Sequence, residues 1–315
     1  MHMRIALVVS GPIPCTGYGG SQRQVEWLAA ELVRLGHDVV VVCGRATGPA
    51  PFEIREAATW QEFSDAIPRD ADFVHFHDPY IDVPVPSLYT NHGPGNVIAR
   101  TKHNWSFVSA SHARGRGRET FVYNGFPVDA YRLSATKSQR LVFLAGIARA
   151  IKNLNRAVDL ARKYDFELDI AGGARWNLLT RSKVRRQGVF FKSLSPRYHF
   201  HGVVDGDEKL ALLGEARAFL NPIDGPEAFG MAPVEAMLCG TPALATPCGA
   251  MPEIIDAETG RLFVSDEEFA RALEEVSALS PAQCREVAAE RFNINKTALG
   301  YLELYARILD GEQLA

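Results

Sequence analysis

The chain has 315 residues, 47% of them hydrophobic and 23% charged, with a formal net charge of −3. That length allows two domains, each with its own core, and the slight acidic balance argues against a chain-wide attraction to nucleic acid or anionic lipid. The five Cys, at positions 15, 43, 239, 248 and 284, are odd in number and contain no Cys-x-x-Cys pair, which excludes a disulfide framework and fits a reducing, cytoplasmic compartment.

The apolar run Ile5–Val9 is too short to span a bilayer, and no small-residue cleavage site follows it, so Arg4–Ser10 reads as a buried first strand. A glycine-rich loop leads to a helix over Ser21–Leu35. There Ser21 and Gln24 have the spacing of a capping box, and Val25, Leu28, Ala29, Leu32 and Leu35 share one face. Gly36 ends that helix and Val39–Cys43 is the second strand. A dinucleotide site is the competing reading of this βαβ opening. The residues oppose it: after Gly17-x-Gly19, Gln22 stands where the third glycine belongs, and Cys43-Gly44-Arg45 supplies no acidic residue at the end of the second strand.

Ala71–His77 and Ser87–Asn91 are further strands, the first running into Asp78-Pro79 and the second into His92-Gly93. A histidine at the C-terminal end of a strand in an α/β sheet lies on the ligand side. Trp105–Ala110 is a strand and Ser111–Arg118 a basic turn, better explained as a solvated loop than as a seat for an anionic acceptor. Asn124-Gly125 predicts a sharp turn. The polar run Ser134–Arg140 reads as a linker, after which Leu141–Ala145 opens a second βαβ domain. The loop Gly146–Asn153 joins that strand to a helix running to Tyr164, and Phe166–Ala171 is the next strand.

Arg181–His201 mixes Lys and Arg with Phe190, Phe191, Tyr198 and Phe200. Without a clean period it reads as a helix with a basic outer face followed by a strand, rather than as a nucleic-acid or membrane surface. Asp205-Gly206 is predicted as a turn and Asp207 as a helix N-cap, in preference to a metal-binding pair, and no other cluster has metal-ligand spacing. Ala216–Pro222 is a strand. Asp266–Ala278, Pro281–Arg291 and Lys296–Leu309 are helices.

The most informative stretch is Gly225 to Pro242: a loop, a short helix and a turn into the strand Ala243–Ala245. Gly230 allows close backbone approach, Pro233 is tolerated in a first helical turn, and Gly240 with Thr241-Pro242 stops the helix. Glu227 precedes the helix and Glu235 lies on it, with seven residues between them. A helix N-terminus is a seat for phosphate, and a carboxylate beside it accepts hydrogen bonds from ribose or sugar hydroxyls. The chemistry suggested is a sugar joined to a nucleotide diphosphate.

This stretch resembles the Glu-x7-Glu signature of the retaining glycosyltransferases of family 4, in the form Glu-x-Phe-Gly…Glu-Ala-Met-x-Cys-Gly-Thr-Pro. The resemblance implies an α/β fold of two Rossmann-like, doubly wound domains facing a cleft, the GT-B arrangement. Residues 1–133 would form the acceptor-side domain, with 296–315 packing back on it, and 134–295 the donor domain. The implied reaction moves a sugar from a UDP- or GDP-linked donor to a hydroxyl of a glycan, a lipid-linked or a small-molecule acceptor, with no metal or other cofactor and no nucleic-acid partner. A peripheral contact with the inner face of the membrane is left open.

By the same resemblance, Glu227 binds sugar hydroxyls and steadies the oxocarbenium-like centre, Glu235 binds the ribose, and Phe229, Gly230 and Met231 offer backbone N–H groups. Lys152, by its spacing from Gly146, grips the diphosphate. Ile147 stands where the family carries an arginine, so Arg149 is the candidate substitute. His92, in Thr90-Asn91-His92, contacts the donor sugar; Gly19 and Gly20 bring backbone N–H groups to the diphosphate; and Asn124, in Tyr123-Asn124-Gly125, closes the first domain beside the donor. His92, Lys152 and Glu227 are the expected catalytic residues. Between His92 and Ser109 the chain is short where the family carries helical material, so the first domain is expected to be trimmed. Two alternatives remain open at this point: a nucleotide-sugar epimerase on the same fold, and a catalytically silent sugar- or nucleotide-binding subunit.

Overall fold

The computed structural model describes residues 2–15, 17, 19–93, 104–180 and 187–314. The chain divides into two compact units, Met1–Pro127 with Phe292–Ala315, and Val128–Arg291. Each unit is built on a six-stranded sheet whose strands all pair in parallel.

In the first unit the strands are β1 (Arg4–Ile13), β2 (Asp38–Ala46), β3 (Glu53–Glu56), β4 (Phe73–Phe76), β5 (Ser87–Asn91) and β6 (Asn104–Phe107), in the order β3-β2-β1-β4-β5-β6. Central strands of a parallel sheet are covered on both faces, and β1, β2 and β4 accordingly read as near-continuous apolar runs. Helices α1 (Gly20–Arg34), α2 (Trp60–Ala66) and α3 (Ala110–Arg114) follow β1, β3 and β6. The C-terminal helix Ile294–Leu309 packs on this unit: its Ala298, Tyr301, Leu304 and Tyr305 share a core with Val25, Leu28, Ala29 and Leu32 of α1. Burying side chains of this size is worth about 1.5–3 kcal/mol each, which outweighs the cost of bringing the chain end back.

The second unit repeats the plan with β7 (Leu141–Leu144), β8 (Leu168–Ala171), β9 (Tyr198–Gly202), β10 (Ala218–Asn221), β11 (Ala243–Ala245) and β12 (Gly260–Leu262), in the order β12-β11-β10-β7-β8-β9. Its helices are α4 (Leu154–Lys163), α5 (Val189–Lys192), α6 (Gly206–Glu215), α7 (Met231–Leu238), α8 (Met251–Ile254), α9 (Asp266–Glu275) and α10 (Pro281–Arg291). In both sheets the chain steps outward for three strands and then reverses, next to β1 in one and β7 in the other. The loops at the carboxyl ends of the strands diverge at such a reversal, and the crevice they leave is where α/β sheets bind ligands.

Several sequence expectations change. Ser21 and Gln24 do not form a capping box: Gly19 is the N-cap of α1 without a side-chain bond, and Gln24 is buried, exchanging hydrogen bonds of 2.9 and 3.0 Å with the backbone of Gly125. No turn forms at Asn124-Gly125. Gly125 is required instead by close packing, since a Cβ there would lie 2.3 Å from Thr297 Oγ1 and 2.6 Å from Ile294 Cα. The basic stretch after Ser109 is a short helix, α3, because the Ser109 side chain caps it through the His112 N–H. Asp205, not Asp207, is the N-cap of α6, so Asp207 lies inside its first turn. The expected linker from Ser134 lies within the second unit, which begins at Val128. Strand β3 and helix α2 were not foreseen, being too short to show a period. The trimmed stretch from 94 to 103 and the basic residues from 181 to 186 lie outside the described residues. Among the described residues no helix is long and apolar enough to cross a membrane.

Candidate functional site

The second unit places its predicted residues where β7 and β10 end. The loop after β7 closes in a 3-10 turn over Ala150–Lys152, and Asn153 then adopts a left-handed conformation (φ 55°) and caps α4 through the Arg156 N–H. The loop after β10 is tied to this turn by Asp224 N–H donating to Ile151 O at 2.9 Å. That tie brings Lys152 Nζ onto Glu227 Oε2, a direct ion pair between side chains each 19% exposed. Glu227 is held from behind by Gly249, whose Cβ would lie 2.2 Å from Glu227 O at a φ of +61°, while Ala250 N–H donates to the same carbonyl at 3.0 Å.

Three residues on, Gly230 (φ 101°) turns the chain into α7 as its N-cap residue. A Cβ at Gly230 would strike Met251 Cε at 2.3 Å, so both the backbone conformation and the packing require glycine. Phe229 is a core residue, while Met231 is half-buried. One turn into α7, Glu235 is 6% exposed, accepting from Tyr131 OH at 3.0 Å and lying 2.7 Å from Lys209 Nζ. A carboxylate this deep needs such partners, because an unpaired buried charge costs several kcal/mol.

The two remaining positions of the β7 loop part company. Ile147 is 2% exposed and belongs to the core, against Gly173, so position 147 is a packing position in this chain. Arg149 is exposed, with its stem over Gly146, where a Cβ would lie 3.1 Å from Arg149 Cδ.

In the first unit His77 follows directly after β4, beside the reversal point of that sheet, and His92 directly after the neighbouring strand β5. They line a cavity of about 740 Å³ together with Ser10, Ser21, Asp78, Thr90 and the aromatic residues Trp60, Tyr80, Tyr89 and Trp105. Ser10 N–H and Oγ both donate to Asp78, at 3.2 and 2.5 Å. His77 Nδ1 and His92 Nε2 are 2.7 Å apart. Below them His75 is bonded at both ring nitrogens, to Tyr305 OH at 2.7 Å and Thr90 Oγ1 at 2.8 Å. Burial pushes His92 down to about 4, against the opposing pull of Asp78, and holds His75 and His77 well below the ordinary histidine value. All three rings are therefore neutral at neutral pH. Gly19 and Gly20 form the start of α1 beside Ser21, so they sit near this cavity, whereas Asn124 is buried and does not line it.

The structure thus joins Lys152 to Glu227 and seats Arg149 on the same loop, and it gathers His92 with the start of α1. Sequence reasoning missed Tyr131, Lys209 and His77 as supporting residues, and set Gly249 beside the site without its contact to Glu227. Their partners are 104, 26, 15 and 22 positions away along the chain, and no local spacing announces them. Among the described residues no group of three or more His, Cys, Asp or Glu side chains is arranged to hold a metal ion.

Residues 138–278 match the family model described as Glycosyl transferases group 1. No curated protein matches the chain in sequence. Among solved structures it is similar to AviGT4, a glycosyltransferase involved in avilamycin A biosynthesis, with a TM-score of 0.83 at 23% identity over 98% of this chain and 99% of that one. Sucrose-phosphate synthase from Thermosynechococcus elongatus superposes with a TM-score of 0.74 at 18% identity, over 99% and 100% of the two chains. HepE from Anabaena, in complex with UDP and glucose, does so with a TM-score of 0.73 at 15% identity, over 97% and 100%. The structures establish the GT-B fold, and the family match lies within the second unit.

Proposed function

We propose that the protein transfers a sugar from a nucleotide diphosphate sugar, UDP- or GDP-linked, to a hydroxyl acceptor with retention of the anomeric configuration and without a metal ion. The observation that carries this reading is the pair of carboxylates around the start of α7. Glu227 is held by Lys152 and Glu235 by Lys209 and Tyr131, one before and one after the start of a helix whose N-cap residue is a glycine. Helix N–H groups and lysines suit a diphosphate, and carboxylates suit the hydroxyls of sugar and ribose. The UDP and glucose bound by HepE are ligands of this class.

In the proposed reaction the acceptor oxygen forms a bond to the anomeric carbon on the face from which the diphosphate leaves. The bond from that carbon to the diphosphate oxygen breaks, the nucleoside diphosphate departs with the electron pair, and the acceptor proton passes to the departing phosphate. Negative charge grows on the diphosphate as that bond breaks, and Lys152, Arg149 and the helix N-terminus are the groups proposed to stabilise it. Glu227 would carry the opposite task, facing the positive charge that develops at the anomeric carbon.

A panel of nucleotide sugars tests the proposal, read first by thermal shift and then by release of free nucleotide with and without hydroxyl acceptors. Acceptor-dependent release of UDP or GDP is the expected result. Conversion of the donor to its epimer with no acceptor present indicates an isomerase, and nucleotide binding with neither transfer nor slow donor hydrolysis indicates a silent subunit.

A further inference from the structure

We infer that His77 is a positioning residue that holds His92 in the neutral form protonated at Nδ1, so that His92 offers the cavity of the first unit an N–H donor and no base. The two side chains leave the carboxyl ends of adjacent parallel strands, and their ring planes lie within 25° of each other with centroids 5.0 Å apart. The 2.7 Å between His77 Nδ1 and His92 Nε2 is a hydrogen bond with one proton in it. Both rings are neutral, because burial lowers both, so each carries a single proton and only two arrangements exist.

In the first arrangement His92 donates from Nε2. His77 must then accept at Nδ1 and carry its own proton on Nε2. That nitrogen is buried and has no hydrogen-bond partner among the described residues, so the arrangement leaves an N–H there without an acceptor. In the second, His77 donates from Nδ1 and its Nε2 keeps a bare lone pair. Buried orphan donors are rarer in native proteins than under-used acceptors, and leaving a donor unmade carries the desolvation penalty in full. The second arrangement therefore prevails. His92 Nε2 is then occupied as an acceptor, and the His92 proton lies on Nδ1.

The surroundings hold this arrangement in place. His75 lies 4.1 Å from His77, ring centroid to ring centroid, and spends both nitrogens on Tyr305 and Thr90, so it braces the ring of His77 without exchanging a proton with it. His92 lines the cavity, and no described residue bonds its Nδ1. An N–H in that position binds an oxygen of a sugar or acceptor hydroxyl and is unable to take a proton from it. The bearing on catalysis rests on the proposed glycosyl transfer; the tautomer does not.

Nitrogen NMR of the unliganded protein labelled with 15N-histidine tests the inference directly, with His92→Gln used to assign the His92 signals. The expected spectrum shows a protonated Nδ1 and a bare Nε2 on His92 and likewise on His77; a proton on His92 Nε2 overturns the inference. Two variants test the consequence with the donor that releases nucleotide in the panel. His77→Asn keeps an N–H near the δ position and is expected to preserve both the His92 signals and kcat. His77→Leu removes it, and is expected to mix the His92 tautomers and lower kcat by about 10- to 100-fold with little change in nucleotide affinity, the usual cost of losing a partner that orients a histidine. Unchanged His92 signals in a folded His77→Leu protein also overturn the inference, and if that variant fails to fold, the wild-type spectrum decides. A proton on His92 Nδ1 in a protein that transfers no sugar would retire the proposed function and leave the positioning role standing.

Discussion

Lys152 and Glu227 are each other's partner across 75 residues of sequence, in a pair that is mostly out of solvent. The pairing orients Glu227 and balances its charge where Gly249 and Ala250 fix its backbone. If Glu227 faces the anomeric centre, its loss removes an interaction made mainly in the transition state. Glu227→Ala is expected to lower kcat on the order of a hundredfold or more while leaving the dissociation constant for UDP or GDP nearly unchanged. Steady-state kinetics beside isothermal calorimetry separate the two, and a large loss of nucleotide affinity would remove Glu227 from that role.

Glu235 carries the opposite expectation. Its carboxylate is buried with Lys209 as counter-ion and Tyr131 as donor, so Lys209→Met leaves an uncompensated charge inside the unit. Breaking such a pair by removing one partner costs about 3–5 kcal/mol, whereas Tyr131→Phe removes one hydrogen bond to the carboxylate and costs about 1.5–3 kcal/mol. Urea unfolding of the three proteins measures both. Glu235→Ala is expected to weaken nucleotide binding itself, and equal, negligible effects of Glu227→Ala and Glu235→Ala would sink the role assignment.

Gly249 is a backbone contact rather than a flexible joint. A methyl group there meets the N, C and O atoms of Glu227, at 2.4, 2.9 and 2.2 Å, in a left-handed conformation that side chains avoid. Gly249→Ala must displace the 227 backbone from its place. It is expected to lose about 1–3 kcal/mol of stability and, in the folded fraction, most of the turnover, with nucleotide affinity less affected. Thermal unfolding and single-turnover kinetics test the two halves.

Histidines 75, 77 and 92 are held neutral by burial, with folded-state values below the ordinary 6.5 and His92 at about 4. The folded chain therefore binds fewer protons than the unfolded chain between those limits. Their contribution is fully present above about pH 6.5 and is lost as the pH falls toward 4, at about 1.4 kcal/mol for each pKa unit titrated. Urea midpoints at pH 7.5 and 5.0 should show the loss, and His92→Gln should reduce it. A stability that does not change between those pH values would mean that the rings are not buried as described.

The sequence alone determined the fold class, because the signals for it are local. Apolar runs such as Ile5–Val9 and Leu141–Leu144 lie where parallel strands form. The helix faces on α1 and the C-terminal helix repeat at helical spacing, and Gly230, Pro233 and Gly240 bracket α7 within two residues of its ends. The same locality placed Glu227 before that helix, Glu235 on it, and Lys152 in the loop after β7. Local signals also misled: Ser21 and Gln24 have capping-box spacing, yet Gln24 bonds to Gly125, 101 residues away, because burying its amide against that backbone satisfies two polar groups at once.

What only the tertiary structure decided is which charges and protons meet. That Lys152 faces Glu227, that Lys209 and Tyr131 hold Glu235, that Ile147 belongs to the core, and that His77 rather than a carboxylate partners His92 all depend on how separate strands are set side by side. Sequence spacing measures distance along the chain, whereas pairing energies depend on distance in space and on exclusion of water, and both are set only when the sheets have closed.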